Sequence, residues 1–233
     1  MTIRKSCVAW RIVSRCFHEH RNMSTNSLDK QEPDLLSHPY AAVKNKCGIT
    51  EIPVAIPFRS FFSRSGIGDK KKEYAGRKLV GYSMEQMYTV VADVENYKKF
   101  VPFCKKSIVR TRGPEHMRAD LVIGFPPIQE SYTSSITLCK PFLVKAVGME
   151  GKLFNHLLTE WKFNPGLKGN PQSCIIDFLV SFEFRSILHS HLAHVFFNEV
   201  VRQMEDAFLR EATNRFGKAS VKTQKLGILS VNS

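Results

Sequence analysis

The chain has 233 residues, of which 43% are hydrophobic and 24% charged, a composition that supports one substantial core of roughly 150 residues with tails. It excludes two large domains, a coiled coil, a collagen-like repeat and a wholly disordered chain. The 34 Lys and Arg residues outnumber the 21 Asp and Glu residues, and the formal net charge of +13 fits nucleic acid, an anionic membrane or mitochondrial targeting equally well.

The positive charge is concentrated towards the N-terminus, where the first 72 residues hold 13 basic and 6 acidic residues. Within residues 1–23, Arg4, Arg11 and Arg15 share one helical stripe opposite apolar residues, which is typical of a mitochondrial presequence. A plain basic tail or a membrane-surface helix would carry the same charges. Residues 24–72 keep neither helical nor strand periodicity, so we predict a mostly disordered linker or processing region. No window reaches the ~18 uncharged apolar residues of a membrane-spanning helix, so we expect any membrane contact to be peripheral.

The folded domain is predicted over residues 73–217 and begins with a strand at Tyr74–Val80. Ser83 and Gln86 have the spacing of a capping box, which predicts that a short helix starts after Ser83. A second short helical turn is predicted around Glu95–Phe100. The period then changes to two, and turn residues separate six candidate strands: Lys105–Arg112, Met117–Ile123, Glu130–Cys139, Phe142–Gly148, Phe154–Phe163 and Cys174–Arg185.

The last of these strands alternates most strictly. One face carries only apolar residues, namely Cys174, Ile176, Phe178, Val180, Phe182 and Phe184. The opposite face carries Asp177 and Glu183. Successive strands joined by short turns form an antiparallel sheet, and an apolar face of this kind must be covered by another element.

The one long helix available to cover the sheet is predicted at Ile187–Phe216, capped by Ser186. Its apolar stripe consists of Leu188, Leu192, Val195, Phe196, Val200, Met204, Phe208 and Ala212, and its other positions hold Glu199, Arg202, Glu205, Asp206, Arg210 and Glu211. Residues 218–233 are predicted to be a flexible tail. This order of elements predicts an α+β helix-grip fold: an antiparallel sheet of about seven strands wrapped on a long C-terminal helix, with two short helices after the first strand.

Four stretches carry a specific resemblance: VADVENYKKFVPFCKKS at Val91–Ser107, IGFPP at Ile123–Pro127, SFEFRS at Ser181–Ser186 and FFNEVV at Phe196–Val201. They resemble the mitochondrial coenzyme Q-binding proteins of the START, or polyketide cyclase-like, superfamily, over about Tyr74–Phe216 and in the family's order of motifs. The resemblance implies a non-catalytic START-like domain that binds ubiquinone between sheet and helix. It also implies a peripheral location on the matrix side of the inner mitochondrial membrane and a role in respiratory electron transfer and ubiquinone biosynthesis.

The implied ligand is ubiquinone or a related isoprenoid lipid, with no cofactor, and the implied partners are respiratory complexes or ubiquinone-biosynthesis enzymes. An aromatic sheet face held apart from the helix stripe would leave a dry groove for such a ligand. The candidate lining residues are Phe125, Trp161, Phe163, Phe178, Val180, Phe182, Val200, Met204 and Phe208. The alternative is that these residues form an ordinary core without a groove.

A basic and aromatic rim is the candidate membrane contact. It combines Lys98, Lys99, Lys105 and Lys106 with the neighbouring aromatic residues Tyr97, Phe100 and Phe103. Phe196 and Phe197 diverge by ~100° on the helix, so both cannot face the sheet and one is expected at the groove mouth or in lipid. The alternative is a solvated basic face that contacts nothing.

Three other function classes fit the sequence less well. A cyclase or hydrolase of the same superfamily needs a polar pair inside the cavity, yet the apolar face of the last strand offers only Cys174. The positions of Glu130, Tyr132 and His156 relative to the cavity are left open.

No metal site is predicted from the cysteines and histidines. The six cysteines form no C-x-x-C pair, and of His189, His191 and His194 only the last two share a helix face. Superfamily members that associate with ribosomes prompt an RNA-binding alternative, but no Arg-rich stripe is present and no nucleic acid is expected as a partner.

Overall fold

The computed structural model describes residues 71–125, 128–152, 154–185 and 187–232, without the side chains of Phe125, Ile128, Glu150 and those at 187–199 and 228–232. The presequence predicted at residues 1–23 and nearly all of the linker predicted at 24–72 lie outside the described residues. Lys71 and Lys72 are the exception, because they belong to the first strand. The folded domain therefore begins at least two residues before the predicted boundary at residue 73.

The described chain forms one antiparallel sheet with helices on its inner face. Its strands are β1 (Lys71–Val80), β2 (Cys104–Arg112), β3 (His116–Phe125), β4 (Ile128–Cys139), β5 (Leu143–Gly151), β6 (Phe154–Pro165), β7 (Cys174–Phe184) and β8 (Gln224–Asn232). Its helices are α1 (Met84–Ala92), a 3-10 turn (Val94–Asn96), α2 (Tyr97–Phe100) and α3 (Ile187–Phe216). The sheet order is β2-β3-β4-β5-β6-β7-β1-β8, with every neighbouring pair antiparallel. The predicted helix-grip fold is confirmed.

The inner face of the sheet is the face predicted from the alternation in β7. Ile176, Phe178 and Val180 are all buried, and the register sets Phe163 beside Ile176 and Trp161 beside Phe178 on β6. Asp177, on the outer face, is instead half-buried and pairs with Arg77. Period-two alternation thus positions both faces correctly, because successive side chains in a strand point to opposite sides.

The capping box predicted at the start of α1 is present. The backbone N–H of Gln86 donates to Ser83 Oγ at 3.2 Å, and the backbone N–H of Ser83 donates to Gln86 Oε1 at 2.8 Å. The helix then buries Met87 and Val91 against β5 and β6. One end of the inner face is closed by this packing.

Replacing Ser83 with alanine is expected to lower the free energy of unfolding by about 1 kcal/mol, because the Gln86 N–H loses its acceptor. Urea denaturation of the full chain measures the change. Ser83→Thr keeps the hydroxyl and should stay close to the wild type. Equal stabilities for Ser83→Ala and the wild type would contradict the role of the cap.

The C-terminal segment differs from the prediction of a flexible tail at residues 218–233. Gln224–Asn232 forms β8, which pairs antiparallel with β1 and raises the number of strands from about seven to eight. The sequence signal for a strand is weak because Gly227 interrupts the segment. The pairing with β1 is itself irregular, with two register shifts. Pairing with β8 satisfies the backbone groups that β1 would otherwise present at an open sheet edge.

Helix α3 has its predicted bounds, but its buried face is rotated. Val201, Glu205, Phe208 and Ala212 are buried, whereas Val200 and Met204 of the predicted stripe are half-buried. Glu205, grouped by sequence with the outward polar positions, is only 6% exposed. Its burial is compensated by Lys78 of β1, whose Nζ lies 2.9 Å from Glu205 Oε2.

Candidate functional site

The centre of the inner face is an aromatic cluster formed by residues predicted to line a groove. Trp161 of β6 lies 4.2 Å from Phe178 of β7 and 4.8 Å from Phe208 of α3, measured between ring centroids. All three side chains are at most 5% exposed. The sheet and the long helix therefore meet through aromatic rings here, whereas the sequence predicts that a groove holds them apart. We call these three residues the central cluster.

Two rim residues predicted from sequence pack against the central cluster. The rings of Tyr97 and Phe100, from α2, each lie 5.4 Å from Phe208. The Tyr97 hydroxyl donates to the backbone carbonyl of Val91, and burial raises the pKa of Tyr97 far above its usual value, so the hydroxyl keeps its proton. Tyr97 and Phe100 are half-buried and pack against Phe208, so they connect the predicted rim to the central cluster.

Burial along the inner face is complete at one end and mixed at the other, where Phe184 and Lys72 are buried but several of their neighbours are half-buried. At the end covered by α1, Phe163 is 1% exposed and packs against Tyr88. At the other end, Phe182 is half-buried and packs with Phe154 and Phe184, at centroid distances of 5.9 and 5.0 Å. Ile123, Tyr132, Leu157 and Thr159 lie on the inner face at this second end and are also half-buried. We call this the open end of the sheet.

A polar group on the inner face was missed by the sequence analysis. Tyr74 and Lys78 of β1 lie opposite Val180 and Ile176, so both side chains share the inner face with the apolar residues of β7. Lys78 Nζ donates to Glu205 Oε2 at 2.9 Å, and the Tyr74 hydroxyl donates to the same oxygen at 3.4 Å. We call these three residues the polar triad. Alternation in β1, read as strictly as in β7, would have placed Tyr74 and Lys78 inside.

The two charged side chains of the polar triad are buried, and Tyr74 is half-buried. Lys78 is 8% exposed and Glu205 is 6% exposed. Burial, followed by the neighbouring Glu205 carboxylate, raises the pKa of Tyr74 to about 12, so its hydroxyl stays protonated at physiological pH. The Tyr74 ring lies 6.3 Å from Phe178, and the polar triad therefore borders the central cluster.

Other acidic and polar candidates divide between the two faces. Asp177 and Glu183 lie on the outer face, as predicted. Asp177 is hydrogen-bonded to Arg77, and Glu183 is hydrogen-bonded to Asn155. His156 pairs in register with Glu183 and shares the outer face. Tyr132 and Glu130 lie on the inner face at the open end, opposite Leu121 and Ile123.

The four predicted rim lysines are exposed. Lys98 and Lys99 lie on α2, and Lys105 and Lys106 lie at the start of β2. Between them Phe103 is 36% exposed and holds a φ of 64°, a backbone conformation that residues with a Cβ seldom adopt. Its carbonyl accepts from the N–H of Gly124 at 2.9 Å, which ties this turn to the end of β3.

The described part of the chain also contains a cavity of about 290 Å³ beside the C-terminal half of α3. Its lining residues are Phe100, Ala207, Arg210, Glu211, Thr213 and Asn214. None of them is a predicted lining residue of the groove. The cavity therefore adds nothing to the site on the inner face.

Comparison with known proteins places this fold and these residues in a family. The model for the family "Polyketide cyclase / dehydrase and lipid transport" matches residues 80–209, more than half of the chain. The mitochondrial coenzyme Q-binding protein COQ10 of Drosophila melanogaster is 51% identical over 168 residues, covering 72% of this chain and 69% of that protein. The chain belongs to the COQ10 family. The COQ10 homolog B of Xenopus laevis is 50% identical over 171 residues, covering 72% of this chain and 70% of its own length.

More distant relatives share the domain of the COQ10 family. The ribosome association toxin RatA of Vibrio cholerae is 30% identical over 147 residues, covering 63% of this chain and 99% of that protein. The Zhui aromatase/cyclase structure from Streptomyces sp. R1128 aligns with a TM-score of 0.53 at 15% identity, covering 62% of this chain and 95% of the other. At that identity the similarity supports the fold alone.

Several residues considered in the sequence analysis have side chains outside the described set. These are Phe125, Phe196 and Phe197, together with His189, His191 and His194. Among the residues that the structure describes, no helix is long and apolar enough to cross a membrane. The predicted lining residues that the structure does describe are all on the inner face or on α3.

Proposed function

We propose that the chain binds ubiquinone, or a closely related isoprenoid quinone, between the inner face of the sheet and α3, and that it does so in mitochondria. The observation that carries the proposal is the aromatic inner face, which is buried at the α1 end and includes half-buried residues such as Phe182 at the open end. The COQ10 relatives support it, because their names state that they bind coenzyme Q and are mitochondrial.

The lining of the groove is proposed from position and burial. The central cluster offers aromatic surface for a quinone ring, and Val180 and Phe182 continue that surface along β7 towards the open end. Val200 and Met204, half-buried beside the buried face of α3, are proposed to contact the isoprenoid tail. Phe163 lies at the closed end under α1 and serves as the floor.

Physical chemistry explains why such a ligand needs a carrier. Each buried methylene contributes ~0.8 kcal/mol, so a tail of some tens of carbons leaves a bilayer for water extremely slowly. A protein that extracts the quinone at the membrane surface bypasses that step. We therefore propose a peripheral location on the matrix side of the inner membrane, with delivery to respiratory complexes or to ubiquinone-biosynthesis enzymes.

The basic rim is the proposed membrane contact, with Phe196 and Phe197 as further lipid contacts. Replacing both Lys98 and Lys99 with glutamate is expected to weaken binding to anionic vesicles at least roughly 30-fold. Each lysine near such a surface contributes about 1 kcal/mol, and each glutamate adds repulsion. Vesicle co-sedimentation of the full chain measures this. Lys168→Glu with Lys218→Glu is the matched control, because these lysines are also exposed but lie outside the rim. If the control pair lost as much vesicle binding as the Lys98/Lys99 pair, net charge alone would explain the loss. The rim would then not be a specific membrane contact.

We propose that the chain acts by binding, without catalysis and without a cofactor. The support for this is that the COQ10 relatives are named as binding proteins. Asp177 and Glu183 lie on the outer face, but the polar triad and Glu130 lie on the inner face, so position alone does not decide the matter. RatA is related at 30% identity, well below the 51% of the Drosophila protein, so the RNA-binding alternative is not favoured. If the chain bound RNA with an affinity that fell steeply as the salt concentration rose, the RNA-binding alternative would be favoured.

The proposal is tested by purifying the full chain from a quinone-producing host and extracting it for mass spectrometry. Quinone recovered in a fixed ratio to folded protein is the expected result. A folded protein that yields neither quinone nor another isoprenoid lipid would overturn the proposal. Incubation with added quinone should return it chemically unchanged, and a converted product would indicate an enzyme.

A further inference from the structure

The polar triad is unusual in its place on the fold. It lies on the inner face beside the apolar residues of β7, between β1 and α3, with Lys78 and Glu205 almost fully buried. Replacing a buried ion pair with well-packed apolar residues of the same volume is often neutral or stabilising. Stability alone therefore does not account for charges at this position.

Gly76 holds the polar triad together by leaving room for the tyrosine ring. A Cβ at Gly76 would lie 2.5 Å from the Tyr74 hydroxyl oxygen and 2.9 Å from Tyr74 Cζ. The ring of Tyr74 is thus laid across Gly76, along the inner face, and its hydroxyl reaches Glu205. The hydroxyl is directed into the space between sheet and helix by this arrangement.

The triad keeps unused hydrogen-bonding capacity. An ammonium carries three N–H donors, and within the described part of the chain Lys78 uses one, on Glu205 Oε2. The Tyr74 hydroxyl donates to the same oxygen, so Glu205 Oε1 accepts no hydrogen bond from the described residues. Donors and an acceptor therefore remain beside Phe178, whose ring is 6.3 Å from that of Tyr74.

We propose that Tyr74, Lys78 and Glu205 form a subsite for the oxygen atoms of a quinone ring, an inference that rests on the proposed function. The carbonyl oxygens of a quinone only accept, and they match the two N–H donors of Lys78 that the described residues leave unused. The Tyr74 O–H becomes a further donor when it turns to the quinone from its long 3.4 Å bond to Glu205 Oε2. The hydroxyls of the reduced quinol also donate, and they match Glu205 Oε1. The flat ring then lies against the central cluster while its oxygens meet the polar triad, so both redox states are bound.

The test is a titration of the full chain with decylubiquinone and with squalene, an isoprenoid hydrocarbon that has no oxygen. Tyr74→Phe keeps the ring and removes the hydroxyl, and it should weaken decylubiquinone binding roughly three- to tenfold, the effect of one hydrogen bond, without changing squalene binding. Lys78→Met combined with Glu205→Met removes both charges without leaving one unpaired, and it should weaken decylubiquinone binding at least as much. Tyr88→Phe is the matched control, because Tyr88 lies on α1 at the closed end, where it packs against Phe163.

The outcomes separate this inference from the proposed function. Suppose that the wild type binds decylubiquinone, and that Tyr74→Phe and the double variant bind it as tightly as the wild type does. The subsite is then wrong, and the proposed function stands. If the wild type binds neither ligand, the proposed function fails as well. Weaker binding of both ligands by Tyr74→Phe would indicate a general loss of packing and would also overturn the subsite.

Discussion

Replacing Trp161 with alanine is expected to lower the free energy of unfolding by about 3–5 kcal/mol and to remove most of the quinone recovered with the protein. Trp161 is 5% exposed and contacts Phe178 and Phe208, so the truncation opens a cavity where sheet and helix meet. The same contacts supply the aromatic surface proposed for the quinone ring. Urea denaturation gives the stability, and extraction with mass spectrometry gives the quinone bound per folded chain.

Two control variants separate binding from stability. Trp161→Phe keeps an aromatic ring and should lose less of both properties. Ile136→Ala removes a 1% exposed residue of β4 outside the central cluster, and it should destabilise the protein by about 2–5 kcal/mol while the folded fraction keeps its quinone. If folded Trp161→Ala carried as much quinone as Ile136→Ala, the central cluster would not be the binding surface.

Breaking the buried ion pair from one side is expected to have an effect of similar size. Lys78→Met leaves the Glu205 carboxylate buried without its cation, and Glu205→Met leaves the Lys78 ammonium without its anion. Each single change should lower the free energy of unfolding by about 3–5 kcal/mol, the range for removing one partner of a buried pair. Thermal or urea denaturation of the full chain measures both.

The double variant Lys78→Met/Glu205→Met makes the prediction specific. With both charges removed, its stability should return to within about 1 kcal/mol of the wild type or exceed it. Arg110→Met with Asp120→Met is the matched control, because that pair lies at the surface and each single change there should alter the stability by at most about 1 kcal/mol. Additive effects of Lys78→Met and Glu205→Met would show that the two side chains do not depend on each other.

The elements predicted correctly from sequence are those with local signals. The alternation in β7 and the capping box at Ser83 and Gln86 are both contained within a few residues, and both have the predicted geometry. The bounds of α3 follow from helical periodicity for the same reason. Local spacing is sufficient wherever a face or a cap is defined by its own segment.

The features missed from sequence depend on partners far along the chain. Glu205 reads as an outward residue on α3 until Lys78, 127 residues earlier, is seen to neutralise it. Strand β8 is stabilised by its pairing with β1, at the other end of the domain. Helix α2 has four residues, too few for periodicity to show that Tyr97 and Phe100 face inward. Within the polar triad, only Glu205 was therefore beyond a local analysis, because alternation in β1 is enough to place Tyr74 and Lys78 on the inner face.

The most direct test of quinone binding on the inner face is photo-crosslinking of the full chain with an azido-quinone, followed by peptide mass spectrometry. Labelled peptides from β6, β7 and the C-terminal half of α3, around Trp161, Phe178 and Phe208, are the expected result, and excess unmodified ubiquinone should suppress the label. Labelling confined to the outer face, around Arg77 and Asp177, or labelling that excess ubiquinone does not suppress, would contradict a groove between sheet and helix.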